Sequence, residues 1–309
     1  MLKIGILGAT EIAKDHIRIL LELKNQFTII GFYDPYDNLA DEIIESFSIE
    51  RFYNYEDLLD QVDCIDIVSP TIKHFEFASI ALRKSKHIFI EKPLTQTIDE
   101  AKSLMSLSRE ASVKVQIGST ERFNSAFLKS LEFIKRPMFI ETHRLHQFNS
   151  QLSDVSVVLD LMINDIDVIL SIVKSSVRKV VASGAIVFSD TYDIVNARIE
   201  FDNGCVACLT ASRISNQKKC ESLIFQKGSI VNVNFLLDEL EIVSSNDRIF
   251  DSPKKIISER PIIKVSNPKL EEFKSLYDSI INDFEPIVSL TNGYDSLSVA
   301  LKIIDILNQ

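Results

Sequence analysis

The sequence predicts an α/β chain in two parts. The first is a doubly wound parallel sheet covered by helices on both faces, and the second is an α+β domain with antiparallel strands. Three observations carry this. Short apolar runs alternate with helical patterns over residues 1–120. Almost every run closes on a turn residue or a compact polar motif. Beyond residue 120 the apolar runs lengthen, and Asp202-Asn203-Gly204 between two of them is a hairpin signal.

The elements follow in order. Leu2–Leu7 is an apolar strand ending in Gly8, and Glu11–Leu23 has helical spacing with Ile12, Ile19, Leu20 and Leu23 apolar. Phe27–Tyr33 is a second strand closed by Asp34-Pro35, followed by a helix over Asn38–Phe47 with Asp37 or Asn38 as its cap. Val62–Val68 closes on Ser69-Pro70 and leads into a helix over Lys73–Lys84. His87–Ile90 closes on Glu91-Lys92-Pro93, and Asp99–Ala111 is a helix before the strand Val113–Ile117. Right-handed crossovers align these strand ends, and with them every motif named, along one edge, where open α/β sheets bind ligands.

The second part has a strand over Met138–Phe148 and a long helix from Val155 to about Lys174. Strands follow over Arg178–Phe188, Ile194–Phe201, Cys205–Arg213 and Ser222–Phe225. The helical period returns over Leu270–Asn282 and from Asp295 to Gln309. Residues 244–268, polar and proline-bearing, are expected to be mobile surface. The expected division is residues 1–120 and 121–309.

Of 309 residues, 34 are Lys or Arg and 44 are Asp or Glu, a net charge of −10, so nucleic acid and anionic membranes are poor partners. Apolar residues reach 46 % with no run of membrane-spanning length. The start runs straight into a strand, which leaves no room for a secretory signal; a cytoplasmic protein is expected. Cys205 and Cys208 have CxxC spacing but point to opposite faces of a strand, and no second pair or nearby His completes a metal site. They read as small core residues, and no metal is expected.

Gly8-Ala9-Thr10-Glu11-Ile12-Ala13 follows a strand and opens a helix. A dinucleotide fingerprint asks for a tight turn, then close phosphate approach, then close helix packing. Gly8 and Ala13 fit. Thr10 replaces the middle glycine, but its hydroxyl can donate to a phosphate oxygen. Asp34, after the second strand, can accept both hydroxyls of an adenosine ribose and repels a 2′-phosphate, which points to NAD rather than NADP. Lys92 sits on the same edge, where a lysine can act as a base. Ser69, Pro70, Thr71 and His74 shape the nicotinamide side or cap the next helix. On the long helix Asp160, Asn164 and Asp167 share one face and interrupt an apolar stripe, so they mark a site or a buried network.

These motifs, with SPTIKH at Ser69–His74, EKP at Glu91–Pro93, ERFN at Glu121–Asn124 and LDLMINDID at Leu159–Asp167, resemble the Gfo/Idh/MocA family of NAD(P)-dependent sugar and cyclitol dehydrogenases. The resemblance covers the whole chain. It implies an N-terminal Rossmann domain and a C-terminal domain with a large, mostly antiparallel sheet. It also implies a homodimer or homotetramer, and a last helix, about 293–309, that packs back on the Rossmann domain. It assigns cofactor contacts to Gly8, Thr10, Glu11, Ile12, Asp34, Ser69, Pro70, Thr71, His74, Glu91 and Lys92, and the reacting constellation to Lys92, Asp160 and Asn164. The family's helix carries D-x-x-x-H, and here the His position is Asn164, which cannot take up a proton near neutral pH. His143 and His146 do not match that position, and strand alternation lets at most one of them point inward.

A further set of stretches, Arg144–Phe148, Asp154-Val155 leading into the helix, and Ala211–Ser215, resembles members acting on nucleotide-linked amino sugars such as UDP-N-acetylglucosamine. Arg122, Arg144 and Arg213 are then the expected diphosphate contacts, beside Asn164 as a substrate ligand. Ordinary ion pairing of these arginines is the alternative. The expected activity is hydride transfer between a sugar hydroxyl carbon and nicotinamide. The competing expectation is a relative that binds NAD or sugar without turnover, as a sensor or partner subunit.

Overall fold

The computed structural model describes residues 1–147, 156–246 and 255–309. It divides into two compact units, Met1–Thr120 with Asn267–Tyr294, and Glu121–Ser266 with Asp295–Gln309.

The first unit is a six-stranded parallel sheet with strand order β3-β2-β1-β4-β5-β6. The strands are β1 (Leu2–Leu7), β2 (Phe27–Tyr33), β3 (Arg51–Phe52), β4 (Cys64–Ile67), β5 (His87–Ile90) and β6 (Val115–Ile117). Helices α1 (Glu11–Glu22), α2 (Asp37–Phe47), α3 (Tyr55–Gln61), α4 (Thr71–Arg83) and α5 (Ile98–Ala111) connect them. The order reverses between β1 and β4, which makes the carboxyl ends of these two strands the natural crevice for a ligand. Strands β4 and β5 and the last four residues of β1 are almost wholly buried and, apart from Asp66, largely apolar, as a sheet covered on both faces requires.

Two elements were not foreseen. Strand β3 is too short to show any period, and α3 runs for only two turns behind the Asn54 cap. The expected side-chain cap of α2 is also absent: Tyr36 caps it with no side-chain hydrogen bond. The returning segment corrects a further expectation. Helix α8 (Pro268–Ile281) belongs to the first unit, where Phe273 stacks on Phe89 with ring centroids 4.7 Å apart. The last helix, α9 (Leu290–Leu307), begins in the first unit, with Gly293 against Ile117, and from Asp295 onward places Val299, Ala300 and Ile303 in the core of the second.

The second unit is built on an eight-stranded sheet with strand order β14-β13-β12-β11-β7-β10-β9-β8. Its strands are β7 (Pro137–Leu145), β8 (Val177–Ala185), β9 (Ile194–Phe201), β10 (Val206–Ser212), β11 (Lys219–Gln226), β12 (Ser229–Asn234), β13 (Glu239–Asn246) and β14 (Lys255–Glu259). All neighbours are antiparallel except β7 and β10. Strict alternation along β9 and β10 puts Val195, Ala197, Ile199, Ala207, Leu209 and Ala211 on the buried face. Part of the segment expected to be mobile pairs as β13 and β14, while 247–254 lie outside the described residues, as do 148–155.

A short helix, α6 (Ser125–Ser130), is capped by Asn124, whose Oδ1 accepts the Phe127 N–H at 3.0 Å. The long helix is a π turn over Val158–Met162 continued by α7 (Ile163–Ile172). The four cysteines are free; Cys205 is buried and Cys208 faces outward beside Arg198. Among the described residues no helix is long and apolar enough to cross a membrane.

Candidate active site

The first unit gathers its motif residues at the carboxyl edge of the parallel sheet. Gly8 follows β1 at φ +112, in the left-handed region, and a Cβ there would stand 3.0 Å from the Ser69 nitrogen and 3.1 Å from the Val68 carbonyl. Only glycine lets the two strand ends approach so closely. Thr10 caps α1. Its hydroxyl accepts the Ala13 N–H at 3.2 Å and donates to the Val68 carbonyl at 3.3 Å. The N–H groups of Glu11 and Ile12 have no acceptor among the described residues and open the helix toward an anion.

Asp34 is buried, yet both carboxylate oxygens are engaged: Oδ2 accepts the Ala9 N–H and Oδ1 the Tyr36 N–H, each at 2.8 Å. Each oxygen keeps a second lone pair for a ribose hydroxyl. The Ser69 hydroxyl is buried without a partner at the neighbouring strand end. A side-chain-free turn, free amides at a helix start, a braced acid and an orphaned hydroxyl together fit a dinucleotide. These residues would hold its pyrophosphate and adenosine ribose.

His74 has a different part. It is buried, with Nδ1 3.0 Å from the Pro93 carbonyl and Nε2 2.8 Å from the Ser69 carbonyl. Burial pushes its pKa below the ordinary imidazole value, so the ring is neutral and donates to one of these carbonyls at a time. It ties the Ser69-Pro70-Thr71 loop to the Glu91-Lys92-Pro93 loop.

Lys92 follows β5. Its Nζ donates to Ser119 Oγ at 3.0 Å, and its backbone N–H donates to Glu91 Oε2 at 3.3 Å. Gly118 lets Glu91 sit there, because a Cβ would lie 2.6 Å from Glu91 Oε2. Behind Glu91 is His16, fully buried, with Nε2 3.2 Å from Glu91 Oε1 and Nδ1 2.9 Å from Asp66 Oδ2. Glu272, on α8, accepts the Ser119 N–H.

In the second unit Asp160 lies within the π turn, where the widened backbone changes the register of the helix face. Burial raises its pKa above the ordinary carboxylate value, while Arg213 and Arg144 pull it down. Asn164 turns along its own helix: its Nδ2 donates to the Asp160 and Leu161 carbonyls at 3.2 Å, which leaves Oδ1 as an acceptor.

Arg144 grips Asp165 through Nε at 3.1 Å and Nη2 at 2.9 Å, and reaches Glu121 through Nη1 at 2.9 Å. Arg122 pairs with Asp167 at 3.3 Å. Arg213 donates to Asp193, Ser189 and Thr191, which shapes the loop between β8 and β9. All three expected diphosphate contacts are thus committed to ion pairs, because buried carboxylates at 165, 167 and 193 require cations. Backbone N–H bonds from Val187 and Phe188 help hold the Asp193 carboxyl far below the ordinary range. His143 lies on the less buried face of β7, and His146 meets Cys220 at 3.7 Å.

A family profile described as an oxidoreductase family with an NAD-binding Rossmann fold matches residues 2–119, and the GFO/IDH/MocA C-terminal domain profile matches residues 116–231. The chain belongs to the Gfo/Idh/MocA oxidoreductase family. Among its relatives is UDP-N-acetylglucosamine 3-dehydrogenase of Acidithiobacillus ferrooxidans, 29 % identical over 78 % of this chain and 76 % of that protein. Another is scyllo-inositol 2-dehydrogenase (NAD(+)) of Bacillus subtilis, 25 % identical over 80 % and 78 %. A solved structure of the Acidithiobacillus enzyme superposes with a TM-score of 0.92 at 25 % identity, covering 99 % of this chain and 97 % of that one.

As a Gfo/Idh/MocA member the protein is an NAD-binding oxidoreductase, and its Rossmann unit supplies the cofactor half. Sequence reasoning missed the groups behind Lys92. Two left a signal: Asp66 is a charge inside the buried run Cys64–Ile67, and His16 lies on the apolar side of α1. Glu272 left none, since it joins them from 153 residues beyond Ser119.

Proposed function

We propose that this protein is an NAD-dependent dehydrogenase of a sugar hydroxyl, with a nucleotide-linked amino sugar of the UDP-N-acetylglucosamine kind as its substrate. Lys92 carries the reading. Its amine is held by Ser119 on the sheet edge that also bears the Gly8 turn and Asp34. Bound NAD supplies the acceptor for the hydride. Lys92, as the free amine, accepts the hydroxyl proton of the substrate while the C–H bond breaks, and the resulting ammonium returns its proton to solvent. Within the second unit, burial raises the proton affinity of the Asp160 carboxyl, and Asn164 keeps an amide oxygen able to accept from a hydroxyl. The relatedness to the Acidithiobacillus enzyme over three quarters of the chain supports the nucleotide-sugar substrate.

The test is NADH formation at 340 nm with UDP-N-acetylglucosamine, UDP-glucose, glucose 6-phosphate and scyllo-inositol. UDP-N-acetylglucosamine should turn over best. Lys92→Ala should abolish turnover while calorimetry still shows NAD binding. Activity of that variant within a few-fold of the parent would move the proton to another base. No turnover of any substrate would favour a non-catalytic relative.

A further inference from the structure

Behind Lys92 the first unit buries more ionisable groups than a parallel sheet needs. His16 on α1, Asp66 on β4 and Glu272 on α8 are fully buried, and Glu91 at the end of β5 is a fifth exposed at its side chain. Lys269 on α8 adds a further positive field at Asp66 and Glu91. A buried charge must be matched by its opposite. His16, pushed up to about 10 by Asp66 and Glu91 against the cost of its burial, is an imidazolium that answers one carboxylate. The Lys92 ammonium answers a second. Glu272 is the third carboxyl, and unlike Asp66 and Glu91, which both meet His16, it makes no ion pair among the described residues. Oε1 accepts the Ser119 N–H, while Oε2 is buried with no partner. An ionised carboxylate with one oxygen desolvated and unpaired is costly, and a protonated one avoids most of that cost. Burial and the neighbouring Glu91 push the Glu272 carboxyl up to about 8, against smaller opposing effects of Ser119, His16 and Lys92.

We propose that Glu272 is a positioning residue for Lys92: it fixes Ser119, the residue that holds the amine, and the presence or absence of its own carboxyl proton biases the charge on that amine. With Glu272 protonated the cluster carries one negative charge fewer, and Lys92 gives up its proton more readily to become the amine that accepts a substrate proton. Ionised, Glu272 adds a negative charge and makes that loss harder. Its bearing on turnover rests on the reading of Lys92 given above; the coupling itself does not.

Competitive acetylation separates the two. The protein is labelled with acetic anhydride from about pH 6 to pH 10, and modification of Lys92 is quantified by peptide mass spectrometry, with NAD binding as the check on folding. In the parent protein the rise of labelling with pH should break near pH 8, where Glu272 ionises. Glu272→Gln keeps an acceptor for Ser119 and has no proton to lose, so the break should vanish and labelling above pH 8 should increase several-fold. Glu272→Ala should also lose the break and label faster at every pH, because Ser119 is no longer held. If the alanine variant does not fold, the glutamine profile decides alone. A glutamine profile superposable on the parent, or a Lys92 inert throughout, overturns the proposal. A vanished break in a protein that turns over no sugar upholds the coupling and overturns the dehydrogenase reading instead.

Discussion

Replacing Arg144 by methionine tests whether this arginine holds the second unit together or holds a substrate. The Arg144 side chain is 7 % exposed and that of Asp165 4 %, and two charge-assisted hydrogen bonds at 2.9 and 3.1 Å join them in parallel. The field of Asp165 and Glu121 raises the guanidinium's pKa despite its burial, so the cation is locked in place. Methionine fills most of the volume but strips the carboxylate of this partner. Breaking a buried pair from one side costs about 3–5 kcal/mol. For a unit of this size that corresponds to a fall in melting temperature of roughly 6–20 °C. Adding Asp165→Asn should restore part of the loss, with a coupling energy of at least ~1 kcal/mol in the double-mutant cycle. The assays are thermal melts of the four proteins and substrate kinetics of the single variants. A melting temperature within 2 °C or so of the parent, together with a raised KM, would refute the structural role and return Arg144 to the substrate.

Other consequences can be measured directly. Gly8→Ala forces a Cβ to within 3.0 Å of the Ser69 backbone at φ +112, and should weaken NAD binding at least tenfold by calorimetry; an unchanged Kd sinks the argument from the turn. NADP should bind more weakly than NAD by about 1–3 kcal/mol, because the 2′-phosphate meets Asp34, and Asp34→Ser should narrow the gap; equal affinities in the parent would show that Arg51, bonded to the Asp34 carbonyl, accepts the phosphate. The first unit should lose stability as pH rises from about 5 to about 10. His16 and Glu272 both bind their protons more tightly folded than unfolded, so their stabilisation is full at the acid end and lost toward about 10 and about 8. Glu272→Gln should flatten that slope in melts at several pH values, and an equal slope would place the proton elsewhere.

The parts of the fold legible in the sequence were those with a period. The strands Leu2–Leu7, Phe27–Tyr33 and His87–Ile90 read directly because burial on both faces demands continuous apolar runs. Strand β3 has two residues and therefore no pattern, and β13 and β14 carry Glu, Ser and Lys among their apolar positions, so they read as loop. The edge motifs were legible because turns and caps need particular residues at fixed offsets. Thr10 shows the limit: its place was clear, but that its hydroxyl closes onto Val68 depends on a neighbouring strand. The three arginines show the same limit. Their charge is in the sequence, while their partners at 165, 167 and 193 follow from packing.

The return of the chain at Asn267 has a consequence for how the protein is made. Phe273 fills the space between Phe27, Phe89 and His16, and Glu272 closes the group of acids beside it. These residues leave the ribosome after the whole of Glu121–Ser266, so the unit begun first is completed nearly last. Until then the nascent sheet has its strands but an open apolar hollow where Phe273 belongs. A stall or truncation before residue 267 should therefore yield a protease-sensitive N-terminal fragment, although all six of its strands are already present.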